Sequence, residues 1–189
     1  PARLQPMINF VYLSKGLCAL ANAHRASPMA GHLGAAVVAG YFLGEDHADW
    51  DARVHAGIER ELDRIIAGEE PIWFDPKKAG VSVAELFEPL PDEPADEGLI
   101  ASLPQALAEN IGKTRESGHN VIFTAIALRA LRDHPQYATP AVVGGIRKLI
   151  EGFDRAGPGR GYYGASRGWI PGGGVRLPPE GDFPHYTER

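Results

Sequence analysis

Residues 31–47 read GHLGAAVVAGYFLGEDH, and residues 118–134 read GHNVIFTAIALRALRDH. Each stretch opens on Gly-His, runs through an apolar core and closes on Asp-His. An aromatic residue (Trp50, Tyr137) and a glycine (Gly57, Gly144) follow at matching places. The offset is constant, 119 − 32 and 144 − 57 both giving 87. Self-similarity of this kind predicts a supersecondary unit that cannot bury its apolar face alone and stacks on a copy of itself. The repeat predicts an architecture and assigns no activity.

Working outward, the chain reads as helices with almost no strands. A first helix is expected over residues 4–24, with Pro6 tolerated in its first turn. Ser27-Pro28 and Thr139-Pro140 each pair an N-cap residue with a proline at the first helical position. They predict helices to about Leu43 and Phe153. Asp46 or Asp49 is expected to cap a helix that runs to Ala67 and closes at Gly68. Ser82 should cap a short helix, residues 88–97 form an acidic, proline-rich connector, and Pro104 kinks or starts a helix reaching Arg115.

The helices within each unit differ in character. Residues 33–43 and 121–131 are apolar nearly all round, the pattern of a helix surrounded by protein. Their partners are amphipathic, with Trp50, Val54, Ile58, Leu62 and Ile65 forming one stripe and Val142, Val143, Ile146, Leu149, Ile150 and Phe153 the other. The fold class expected is all-α, built of antiparallel helical hairpins with an internal repeat. Residues 1–155 form that repeat domain, and a Gly/Pro/aromatic-rich segment, 156–189, packs on it.

An apolar inner helix starting at Gly-His, followed by an amphipathic outer helix, resembles the hairpins of the α/α-toroid proteins. That group includes the six-hairpin glycosidases, some polysaccharide lyases and the terpenoid cyclases. The likeness is architectural and covers residues 27–153. It carries neither an Asp-x-Asp-Asp acid motif nor a Gln-Trp repeat. A complete toroid has about twice the helices read here, so the resemblance implies a part of such a barrel, completed by another chain or segment, or a shorter solenoid.

Composition narrows the remaining classes. The net charge of −5 and the absence of a Lys/Arg-rich block argue against a nucleic-acid partner. The one cysteine, Cys18, excludes an intramolecular disulfide framework and reads as a buried small hydrophobe. The apolar stretch 7–20 is broken by Asn9, Ser14 and Lys15, so no membrane span is expected. The given stretch carries no signal peptide and reads as soluble; a processed leader stays open, and the compartment, cytoplasmic or periplasmic, is unassigned.

The candidate site follows from the repeat. Residues at inner-helix N-termini line one mouth of a toroid, so His32 and His119 are the candidate catalytic pair, acting as general acid and base. Asn120 is a candidate substrate-binding residue beside them. Beyond Ala156 the chain becomes glycine-rich, and Arg160, Tyr162, Tyr163 and Trp169 suit sugar stacking or anion binding across that mouth. The competing reading makes each Gly-His a cap within its own hairpin, with no shared pocket. Asp46-His47 and Asp133-His134 are expected to cap turns, and His55 to lie on a solvated ion-pair face. No His-Glu-x-x-His, Cys-x-x-Cys or His-x-His motif is present, so no metal is expected, and no cofactor is assigned. Three functions remain open: an enzyme acting on a carbohydrate or other polar small molecule, a helical binding or scaffold module, and a subunit of a larger toroid.

Overall fold

A computed structural model describes residues 8–110, 115–162 and 164–174. It is 69% helix with one two-stranded sheet, the all-α class expected. The principal helices are α1 (Phe10–Asn22), α2 (Gly31–Asp46) and α3 (Ala52–Ile66), with short α4 (Pro76–Ala79) and α5 (Val83–Leu86). After the acidic connector come α6 (Ser102–Asn110), α7 (His119–Asp133) and α8 (Pro140–Glu151).

The polar residues at the starts explain where the helices begin. Ser27, Ser82 and Thr139 each accept a backbone N–H of the first turn, and Ser82 completes a capping box with Glu85. Asn9 caps α1 and Asp51 caps α3, rather than Asp46 or Asp49. The run expected to end at about Leu43 continues to Asp46. Gly44 sits inside α2, where a Cβ would fall 2.1 Å from Ile8 Cγ1. Pro104 lies in the first turn of α6, where its missing N–H costs nothing.

The centre of the structure is α1. It packs along α2 and α8, and every residue from Gly16 to Asn22 is buried. Contact is backbone to backbone: a Cβ on Gly34 would stand 2.4 Å from Leu20 N and 2.6 Å from Gly16 O. One on Gly145 of α8 would stand 2.5 Å from Ala21 O. Glycine is required at both because no side chain fits between the helices. Ile8 against Gly44 at one end and Leu20 against Gly34 at the other make α1 antiparallel to α2. Tyr12 donates to Asp63 and ties α1 to α3, and burial with that carboxylate pushes the phenol up to about 12.

Two burial expectations are corrected. The helices at 33–43 and 121–131 are not enclosed all round: Leu43 is 44% exposed, Val121 48% and Ile122 49%. The amphipathic α8 is the more buried partner, because it is wedged between α1 and α6. The α3 stripe is only shallowly covered, since α3 packs mainly on α2, and Leu62 alone of its apolar residues is buried. His55, expected at a solvated face, is buried instead; Nε2 lies 3.3 Å from Gly44 O, joining α3 to the last turn of α2.

The segment after Ala156 was read without strands. It forms a small antiparallel hairpin, β1 (Arg160–Tyr162) and β2 (Trp169–Pro171), with Tyr162 opposite Trp169. It docks on the loop before α7: Glu116 N donates to Gly157 O, Ser117 N to Pro158 O, and Ser117 Oγ to Arg160 O.

Two stability measurements check this packing. Gly34→Ala should lower unfolding stability by about 2–3 kcal/mol through overpacking. Gly144→Ala should be neutral or raise it by about 0.5–1 kcal/mol, because nothing lies within 4 Å of that Cβ position and alanine favours a helix. Equal effects in denaturant titrations would contradict the α1–α2 contact. Phe123 is 1% exposed, and Phe123→Ala should cost about 3–5 kcal/mol; a loss under about 1 kcal/mol would place it at the surface.

Candidate functional site at the paired histidines

Contacts at both ends show that α2 and α7 run side by side in parallel. At the N-terminal ends, the His32 and His119 rings have centroids 4.5 Å apart and planes inclined at 53°. At the C-terminal ends, Arg129 of α7 hydrogen-bonds both Asp46 carboxylate oxygens of α2 and lies 3.8 Å over the Phe42 ring. His119 and Arg129 occupy the positions 87 residues after His32 and Phe42, so equivalent positions of the two stretches meet each other.

Each histidine is held the same way. Nδ1 of His32 bonds Met29 O at 2.8 Å, and Nδ1 of His119 bonds Glu116 O, both three residues back. A carbonyl only accepts, so Nδ1 carries the proton in each ring and Nε2 keeps a lone pair. Capping and proximity therefore coexist: each imidazole satisfies a backbone group of its own helix start, and the two rings still meet.

Three further rings complete the cluster. Trp73 stacks on His32 at 4.8 Å and 22°, and Phe123 meets His32 and His119 edge-on at 5.3 Å and 5.7 Å. Behind it, Phe153 packs on Phe123. Both histidines are half-buried, while Trp73 is 56% exposed. Among the described residues, the non-glycine residues with positive φ are Trp73, Glu116 and Ser117, at 61°, 40° and 55°. One stacks on His32 and the others form the loop before His119. Such backbone costs about 1–3 kcal/mol per residue and persists where the surroundings over-determine it. The sequence reading passed over Trp73, and nothing in its loop, residues 71–75, marks it by pattern.

The remaining predicted residues separate into two groups. Asn120 is 3% exposed; its Nδ2 donates to Asn110 Oδ1 at 2.7 Å, and Asn110 in turn donates to Ile150 O. This is an interior polar chain joining α6, α7 and α8, away from any rim. Tyr162 and Trp169 are 58% and 60% exposed with rings 5.5 Å apart, and the Arg160 guanidinium lies 5.8 Å from the Trp169 ring. They form a solvent-facing aromatic pair on a hairpin anchored to residues 116–117, next to His119. Tyr163 lies outside the described residues. The other end of the helix pair carries a second polar cluster, of which the sequence reading singled out only His134, as part of a turn cap. Glu45 accepts from Tyr41 at 3.0 Å and lies 3.3 Å from Nε2 of His134, a residue 9% exposed. That approach is off the hydrogen-bond line, leaving His134 Nε2 with a close charged neighbour but no aligned bond.

Among the described residues, no three His, Cys, Asp or Glu side chains gather as metal ligands, and no helix is long and apolar enough to cross a membrane. Comparison with protein-family models, curated proteins and solved structures found no match to this chain.

Burial, and secondarily the neighbouring His119, push the His32 pKa below its ordinary value, against the Met29 carbonyl, which raises it. A depressed folded pKa means that the unfolded chain takes up the proton first. The stability this contributes is complete above about pH 6.5, the unfolded value, and is lost as pH falls through the folded one. The urea midpoint should therefore drop on going from about pH 7.5 to 5, and drop less in His32→Gln. An equal drop in both proteins would show that this imidazole is not the group responsible.

Proposed function

We propose that the chain is an enzyme acting on a carbohydrate or similar polar small molecule by acid–base chemistry at His32 and His119. The observation that carries this reading is the 4.5 Å contact of two half-buried imidazoles from separate helices, each bonded through Nδ1 and with no hydrogen-bond partner at Nε2 among the described residues. A neutral imidazole of near-neutral pKa takes a proton from a hydroxyl, and its neighbour, protonated in turn, returns one to a leaving oxygen. Two adjacent imidazolium ions repel, which favours one proton on the pair at a time and matches that division of labour. The aromatic surfaces supply the binding half: Trp73 at the pair, with Tyr162 and Trp169 beside Arg160 on the neighbouring hairpin. Flat aromatic faces against the C–H face of a sugar ring, with a few convergent polar groups, suit a small-molecule site.

We also propose an α/α-toroid-like arrangement, supported by the parallel α2 and α7 with their Gly-His starts at one mouth. A second reading, a subunit completed by another chain, is favoured by one specific observation. Exposed apolar positions on α2 (Ala36, Ala39, Leu43) and on α7 (Val121, Ile122, Ala125) leave uncovered faces on helices that a closed toroid would surround.

The test is a screen of glycosides and oligosaccharides, with release of reducing ends and Trp73 emission as readouts. On a substrate so found, His119→Ala and His32→Ala should each lower kcat by about 10²–10⁴-fold with little change in KM, and Trp73→Ala should raise KM. Turnover unchanged in both histidine variants would sink the acid–base reading. Activity appearing only in a larger assembly would favour the subunit reading.

A further inference from the structure

The paired imidazoles present a donor set that acid–base work does not exhaust. Both Nδ1–H groups are committed to backbone carbonyls of Met29 and Glu116. This is the arrangement that orients metal-binding histidines, fixing the tautomer that leaves Nε2 as ligand. We propose that His32 and His119 jointly bind one cupric ion through their Nε2 atoms, and that the bound ion blocks the acid–base chemistry of the same pair.

Spacing and chemistry select the ion. With metal–nitrogen bonds of about 2 Å, imidazoles at a right angle on one ion have centroids about 4.5 Å apart, and at a tetrahedral angle about 5 Å. The observed 4.5 Å is within reach of either angle, and of the two ions cupric ion binds a given nitrogen set more tightly than zinc. Two nitrogen donors, with no third protein ligand among the described residues, disfavour magnesium or calcium, which take oxygen. Water fills the remaining positions. The N-terminal ends of α2 and α7 carry about half a positive charge each and oppose any cation. Cupric ion, the strongest binder of the divalent series, is the one best able to overcome that opposition. The exclusion of acid–base chemistry follows because both lone pairs are then occupied; that clause alone rests on the function proposed above.

The experiment titrates the whole chain with cupric ion delivered as a weak chelate, following the ion by electron paramagnetic resonance and the protein by tryptophan emission. One equivalent should bind with two nitrogen ligands in its hyperfine pattern. His32→Gln and His119→Gln, checked by circular dichroism, should each weaken it by at least about tenfold. Trp73, stacked on His32, should be quenched, and Trp73→Phe should keep the binding and lose most of the quenching. A one-nitrogen pattern in the unaltered protein overturns the proposal, whatever the variants do. So does affinity unchanged in both variants, which would place the ion on other histidines such as His24 or His47. Two-nitrogen binding with no acid–base turnover on any glycoside would leave the ion site standing and remove the enzymatic reading instead.

Discussion

The arrangement depends on how closely two helices approach α1. Gly34 on α2 and Gly145 on α8 admit the α1 backbone to distances at which any Cβ would collide, so their axes are fixed by main-chain contact rather than by side-chain choice. Close packing of this kind leaves little room for relaxation. Once α2 is seated on α1, its N-terminus has one place to be, and Gly31 there receives Phe123: a Cβ would meet that ring at 2.6 Å. The glycine before each histidine thus has different work in the two stretches. Gly31 makes room for α7, while Gly118, at φ 90°, turns the chain into its helix.

Parallel neighbours are an electrostatically awkward choice, since like helix ends lie together. The C-terminal end of the pair answers this with charge. Glu45 and Asp46 sit where the dipole disfavours carboxylates, and Arg129 crosses from α7 to hold Asp46 and stack on Phe42. Its hydrogen bonds keep the Asp46 carboxyl below the usual range. Both side chains are more than two-fifths exposed, so the ion pair contributes about 0–1 kcal/mol, and its role is chiefly to set the register of α7 on α2. At the N-terminal end the answer is different: each imidazole is tied through Nδ1 to a backbone carbonyl, and the gap is filled with rings. One end of the pair is fixed by ions and the other by aromatic packing and backbone-bound imidazoles.

Much of this was legible because local chemistry states itself in short patterns. Ser27-Pro28, Ser82 and Thr139-Pro140 cap helices where the residue types require. The constant offset brought His32 and His119 forward as candidates before their contact was known. What sequence could not give was the identity of each face's partner. A run that is apolar all round signals burial without saying by what, and α7 keeps Val121 and Ile122 in solvent because α6 packs more closely on α8 than on α7. His55 has the neighbours of a surface residue along its own helix, but the turn at Gly44 comes from another element. Asn120 looked like a ligand-binding amide, and only the long-range approach of Asn110 reveals its interior role.

Trp73 is the sharpest instance of that limit and bears most on the site. Its loop has no period, and its left-handed backbone is unfavourable for a bulky side chain. That conformation is offset by what it achieves, an indole laid flat on His32 with much of its own surface in water. The strained residues Glu116 and Ser117 do the equivalent for His119: their amides are bound by Gly157 and Pro158, and the Glu116 carbonyl accepts from the imidazole. Both histidines are thus positioned by loops whose backbone departs from the easy regions, while regular helices supply only the points of attachment. Strain concentrated around one half-buried polar pair, with caps elsewhere among the described residues adopting ordinary geometry, is the physical reason for proposing chemistry there rather than at the ion-paired end.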